Sequence, residues 1–267
     1  MQDTTMPAGL SKILAMVRLI AIEAGKAIMD IYETDFPVEL KNDKSPLTLA
    51  DTTANQMIVE FLRKNFPDYA ILSEESKDDM RRLDNDDCFI VDPLDGTKEF
   101  VQRNGQFTVN IALAHKNKAV LGVIYAPVPQ SLYYAYEGGN AFFEDVRCKG
   151  IHPIHVSDRT DSLIAVGSRS HSLPQEAELF EKHKQQISRM ISMGSSLKGC
   201  LVATGEADIY YRFGLTSEWD TAAMQCIVEE AGGIFLQTDG TPMRYNRKDV
   251  LNRLGFCVLN RTENIWI

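Results

Sequence analysis

The chain has 267 residues, 44% hydrophobic and 24% charged, the balance of an ordinary globular protein with apolar material for a sizeable core. Lys and Arg total 28 against 37 Asp and Glu, a formal charge of −9, which argues against a general nucleic-acid binder with its basic face. Five scattered cysteines without a C-x-x-C pair, an N-terminus unlike a signal peptide and no apolar run of membrane-spanning length predict reduced thiols and a cytoplasmic protein with no integral membrane segment.

Leu10, Ile13, Leu14, Val17, Ile20, Ala21, Ala24, Ala27 and Ile31 recur with helical period, which predicts a long amphipathic helix. After Pro37 and the polar "KNDKSP", a second helix starts near Thr48 or Leu49 and carries Ala54, Met57, Ile58, Phe61 and Leu62. "YAIL", "CFIV", "FTVNIALA", "AVLGVIYAPV" and "SLYYAYEG" read as strands between turn residues. Two helices on a largely antiparallel sheet therefore account for residues 1–160, an α+β part. The rhythm then changes to α/β alternation over residues 161–267. "LIAVGS" reads as a strand, "PQEAELFEKHKQQI" and "SSLKGCLVAT" as helices, and "ADIYYRF" as a strand. "SEWDTAAMQCIVEEA" is a helix stopped by Gly232 and Gly233, and "IFLQ" and "GFCVLN" are closing strands.

The stretch "IVDPLDGTKEF" runs out of an apolar strand into Asp92 and Asp95, three apart around a proline. Across a tight turn the two carboxylates converge, and like charges brought together repel unless a cation intervenes. Mg²⁺ takes oxygen ligands and keeps several waters, so a few carboxylates suffice to hold it. The Leu94 carbonyl can add an oxygen, Gly96 lets the backbone come close, and the Thr97 hydroxyl can orient a water. Asp51 and Asp220 fall in the first turns of helices, and Glu74 follows the strand "YAIL". Taken singly, helix-dipole stabilisation accounts for the first two and a solvated loop for the third.

"DPLDGTKEF", with "SEE" upstream and "EWDTAA" downstream, resembles the inositol monophosphatase superfamily of Mg²⁺-dependent, lithium-sensitive phosphatases. "SPLTLAD", "RNGQFTVNIAL", "GVIYAPV", "SRSH" and "GSSLKGCLVATGEADIYYRFG" are similar to its CysQ-type branch, the 3′(2′),5′-bisphosphate nucleotidases. Inositol monophosphatases more often carry DGTTNF where this chain has Lys98 and Glu99. The resemblance implies a layered αβαβα sandwich and two or three Mg²⁺ ions on Glu74, Asp92, the Leu94 carbonyl, Asp95 and Asp220. It implies that Asp51 and Thr97 activate the attacking water, with Gly96 and Thr97 at the phosphate. Glu74, Leu94, Asp95 and Asp220 would border the substrate as well. Five carboxylates alone would repel a phosphate; two divalent ions offset four of those charges and three offset all of them.

Ser195 and Lys198 stand three apart on the opening turn of a predicted helix, whose N-terminus favours an anion. By resemblance these two, with Arg212 and His171, match positions that hold the nucleoside 5′-phosphate or nearby atoms. Alternatively, Ser195 is a helix N-cap and Arg212 and His171 are surface groups. Trp219, Cys200 and Cys226 read as packing residues. The implied reaction is hydrolysis of adenosine 3′,5′-bisphosphate to AMP and phosphate, with a small phosphorylated nucleotide as partner and a monomer or homodimer as the unit. Family resemblance also allows peripheral attachment at the inner face of the membrane. The competing readings are an inositol or sugar phosphate phosphatase and a non-catalytic phosphonucleotide-binding regulatory protein.

Overall fold

The computed structural model describes residues 9–35, 37–40, 46–148, 150–170 and 173–267. Helix α1 (Leu10–Tyr32) buries Leu10, Ile13, Leu14, Val17, Ile20, Ala21, Ala24 and Ile28. The predicted stripe holds as far as Ala24; beyond it Ile28 is buried while Ala27 and Ile31 are half-buried. A short antiparallel ribbon of β1 (Val38–Leu40) and β2 (Pro46–Thr48) leads into α2 (Leu49–Asn65), which starts where its pattern predicts. The first sheet follows: β3 (Ala70–Ser73), β4 (Asp87–Asp95), β5 (Thr108–His115), β6 (Lys118–Ala126), β7 (Ser131–Tyr136), β8 (Ala141–Asp145) and β9 (Gly150–Ile154), hydrogen-bonded in that order. Only β3 and β4 pair in parallel. The five-residue helix α3 (Thr97–Val101) interrupts the chain between β4 and β5.

The second part comprises β10 (Leu163–Ser168), α4 (Pro174–Lys182), β11 (Ile187–Met193), α5 (Leu197–Ala203), β12 (Ile209–Arg212), β13 (Thr216–Ser217), α6 (Glu218–Glu230), β14 (Ile234–Gln237), β15 (Leu251–Asn252) and β16 (Phe256–Leu259). Its sheet has the order β11-β10-β12-β16-β14, while β13 and β15 form a separate ribbon. Helices α5 and α6 lie between the two sheets. Leu179 and Phe180 of α4 pack on the outer face of the second sheet against Leu163, Ala165, Ile209, Tyr211, Cys257 and Leu259. With α1 and α2 on the outer face of the first sheet, the layers run αβαβα. The central layer is tight: a Cβ on Gly122 of β6 would lie 2.4 Å from the Ala223 carbonyl oxygen of α6. Strand β5 is consequently buried on both faces, apolar from Ile111 to Ala114 and polar at Thr108 and Asn110 near the site.

Two readings need correction. The helix predicted over "PQEAELFEKHKQQI" stops at Lys182, and its last residue, Ile187, opens β11. Strand β11 lies at the edge of its sheet with mostly exposed side chains, so no apolar alternation marks it. Strands β8 and β9, unassigned by pattern, extend the first sheet beyond β7. Among the described residues no helix is long and apolar enough to cross a membrane.

Candidate active site

In a regular strand, side chains three apart point to opposite faces. Asp92 pairs with Asn110 and Asp95 with Thr108, so Pro93 and Leu94 together stand against Val109. This one-residue bulge restores the two aspartates to the same side, and proline is tolerated there because a bulge does not need its missing N–H. The expected tight turn between the carboxylates is therefore a bulge within β4, and the chain turns only at Gly96 (φ 92°). Leu94 N–H donates to Asp92 Oδ1 at 3.1 Å, fixing that carboxylate across the bulge.

Helix α6 brings the third member. Oxygen atoms of Asp92, Asp95 and Asp220 lie within 4.8 Å of one another, and Glu74 approaches Asp92 from the loop after β3. Burial, then the charges of Glu74, Asp95 and Asp220, push the Asp92 carboxyl well above the usual carboxylate range. Asp220 is pushed up to about 8, chiefly by burial and next by Asp95. An all-oxygen, mutually repelling donor set of this kind fits a hard divalent cation, which relieves the repulsion that otherwise holds protons on the cluster.

Asp51 and Asp220 show that a capping role and a site role coexist in one side chain. Each is the third residue of its helix and closes a capping box with the residue before the helix. Asp51 Oδ2 accepts from the Thr48 N–H and hydroxyl, both at 2.7 Å, while Oδ1 accepts from Thr97 Oγ1 at 3.1 Å. Asp220 Oδ2 accepts from Ser217 N–H at 2.5 Å. The Thr97 hydroxyl stands between Asp51 and the Leu94 carbonyl, 3.4 Å away.

Asp95 is held from the other part of the chain. Its Oδ2 accepts from Ser196 N–H and Ser196 Oγ at 2.7 Å, Ser195 Oγ at 2.9 Å and Asn110 Nδ2 at 3.2 Å. Ser195 is not the N-cap of α5: it adopts a left-handed φ of 55°, one residue ahead of the cap Ser196. The helix N-terminus expected to attract a substrate anion spends its Ser196 N–H on Asp95 instead, and α5 is seven residues long.

These groups open into a cleft of about 420 Å³ that Lys198 and Arg212 also line. Lys198 is 7% exposed, donates to the Ser195 carbonyl at 2.6 Å and stands 5.4 Å from the centre of the Tyr210 ring. Burial lowers its pKa, a tendency that Asp95 opposes. Arg212 lies 3.7 Å from Glu176, which caps the start of α4. His171 lies outside the described residues. Of the predicted site residues Asp95, Gly96, Thr97, Ser195, Lys198, Arg212 and Asp220 line the cleft, while Asp51 and the Leu94 carbonyl lie behind Thr97 and Asp92 lies behind Asp95 and Asp220. Sequence reasoning missed Asn110 and Ser196, which hold Asp95, and Tyr210 and Glu99 in the wall. Their polar or aromatic character inside otherwise buried segments is the signal that could have found them.

An αβαβα sandwich with an acidic cluster at a bulged strand end is the arrangement that the resemblance to inositol monophosphatases implies. The chain matches the inositol monophosphatase family over residues 10–264 and is a member of it. It is 44% identical over 250 residues to the 3′(2′),5′-bisphosphate nucleotidase CysQ of Salmonella typhimurium, covering 92% of this chain and 98% of that one. The Escherichia coli K12 protein of the same name is 43% identical over the same coverage. The crystal structure of CysQ from Bacteroides thetaiotaomicron superimposes with a TM-score of 0.81 at 42% identity, covering 95% of this chain and 99% of the other.

Proposed function

We propose that the protein is a Mg²⁺-dependent phosphomonoesterase that removes the 3′-phosphate of adenosine 3′,5′-bisphosphate, giving AMP and phosphate. The observation that carries this reading is a single cleft with two kinds of anion site. One is the carboxylate cluster, attractive to phosphate only through a cation; the other is the buried pair of cationic side chains, Lys198 and Arg212. A ligand with two phosphates satisfies both, and relatives more than 40% identical over nearly their whole length carry the bisphosphate nucleotidase name.

Glu74, Asp92, Asp95, Asp220 and the Leu94 carbonyl would hold the ions. Bound Mg²⁺ supplies a water of lowered pKa and offsets charge on the phosphate. Thr97 Oγ1, donating to Asp51 Oδ1 at 3.1 Å, orients the attacking water and passes its proton to Asp51. The water oxygen bonds to phosphorus as the bond to the ribose 3′-oxygen breaks, and that oxygen takes a proton from a solvent water to leave as a hydroxyl. Backbone N–H groups at Gly96 and Thr97 face the phosphate at the turn. Lys198 and Arg212 hold the 5′-phosphate, so the remote phosphate positions the reacting one.

The test compares initial rates of phosphate release from adenosine 3′,5′-bisphosphate, inositol 1-phosphate and fructose 1,6-bisphosphate, with Mg²⁺ and with chelator. The nucleotide should be preferred and chelator should stop release. A preference for inositol 1-phosphate would assign the protein to sugar-phosphate chemistry, and tight nucleotide binding without release would make it a regulatory binder.

A further inference from the structure

A different carboxylate enters the cleft from the first turn of α3. Glu99 is 3% exposed and lines the cavity, yet it stands apart from the converging triad of Asp92, Asp95 and Asp220. Its Oε1 accepts from Ser170 Oγ at 2.6 Å. Two glycines shape the wall around it. A Cβ on Gly194 would lie 2.7 Å from Glu99 Cγ, and one on Gly96 would lie 3.3 Å from Glu99 Oε2.

A carboxylate buried in a cleft for a phosphorylated ligand repels that ligand unless a cation offsets its charge or it meets one of the ligand's donors, and Lys198, on which the Glu99 charge acts, offsets part of it. On the nucleotidase reading, on which this inference rests, those donors are the ribose hydroxyl and the nucleobase amine. Oε2 abuts Gly96, the residue at the turn facing the scissile phosphate, so the donor it can reach lies next to the ester. The nucleobase is several bonds further away. We propose that Glu99 is a specificity-determining residue whose carboxylate accepts a hydrogen bond from the hydroxyl on the carbon adjacent to the scissile phosphate ester. Ser170 occupies only the other oxygen, Oε1, so the proposed acceptor is Oε2.

The experiment measures kcat/KM for adenosine 3′,5′-bisphosphate and its 2′-deoxy counterpart with the native protein, Glu99→Ala, Glu99→Gln and Ser170→Ala. The native protein should prefer the ribonucleotide by about tenfold or more, the range of a hydrogen bond to a charged group. Glu99→Ala should lower the ribonucleotide value alone and bring the two substrates together. Glu99→Gln, which keeps the shape and a weaker acceptor, should retain part of the preference, and it carries the test if circular dichroism shows the alanine variant unfolded. Ser170→Ala should keep the native preference. Equal native rates on both nucleotides, an equal loss on both in the Glu99 variants, or collapse of the preference in Ser170→Ala would overturn the inference and leave the nucleotidase reading standing. Failure of the native protein to hydrolyse either nucleotide would overturn that reading and the inference with it.

Discussion

The Thr97 hydroxyl donates to Asp51 Oδ1 at 3.1 Å, joining the first turn of α3 to the first turn of α2. The other Asp51 oxygen is occupied by the Thr48 cap, so Oδ1 is fixed in direction. Thr97→Val keeps the shape and removes the hydroxyl. It should lower kcat by about a hundredfold to ten-thousandfold, the range of general-base contributions. KM and thermal stability should change little; a fall in Tm large enough to explain the lost activity would make Thr97 a folding residue.

Asp95→Asn should abolish turnover for a stated reason. Five donors converge on Asp95 Oδ2, from Ser195, Ser196 (twice), Asn110 and, at 3.5 Å, Thr108, so the amide must keep its oxygen there. Its NH₂ then points toward Asp92 and Asp220, where a cation is expected. Activity should fall by about a hundredfold or more, equivalent to ~2.7 kcal/mol, with weaker divalent binding by calorimetry and an unchanged circular dichroism spectrum. Near-native phosphate release at saturating Mg²⁺ would remove Asp95 from the ligand set.

How much of this was legible in the sequence varies with the physics of each element. The start of helix α2 was placed to within one residue because its cap, its first-turn acid and its apolar period agree. Asp92 and Asp95 were legible because two carboxylates are costly at the end of an apolar strand, whereas Asp220 entered only through the family resemblance, a first-turn acid by itself reading as helix-dipole stabilisation. The bulge was not, since nothing local distinguishes "DPLD" in a strand from "DPLD" in a turn; pairing with β5 decides it. Strand β11 hid behind a helix because an exposed edge strand has no apolar face to show. Ser195 was misread because its left-handed backbone is held by contacts with Asp95 and Thr108, from residues remote in the chain.

The acid cluster predicts an opposite pH response for the metal-free and metal-loaded protein. Asp92 and Asp220 have carboxyls raised above their unfolded values, Asp220 to about 8. Their contribution to stability is full below the ordinary aspartate pKa of about 4 and is lost as pH rises through the folded values. Without metal, Tm should therefore decline from about pH 5 to about pH 8.5. The Tm gain on adding Mg²⁺ should grow over the same window, because binding needs the ionised carboxylates. A gain independent of pH, measured by differential scanning fluorimetry, would contradict this.

Lys198 and Arg212 make the substrate assignment testable by difference. Lys198→Ala and Arg212→Ala should each lower kcat/KM for adenosine 3′,5′-bisphosphate by about tenfold or more. Adenosine 3′-monophosphate lacks the group they are proposed to hold, so its hydrolysis should barely change. Glu176 keeps its bonds to Leu173 N–H and Phe213 N–H when Arg212 is removed, which should preserve the fold. An equal loss on both substrates would mean that these residues serve the fold or the metal cluster.

The most direct measurement of the central claim is the product formed from adenosine 3′,5′-bisphosphate by the native protein with Mg²⁺, followed by phosphorus NMR. Cleavage with the 3′-phosphate over the carboxylate cluster and the 5′-phosphate on Lys198 and Arg212 predicts AMP and inorganic phosphate, with chelator preventing both. Accumulation of adenosine 3′-monophosphate, or an unchanged substrate spectrum with Mg²⁺ present, would contradict it.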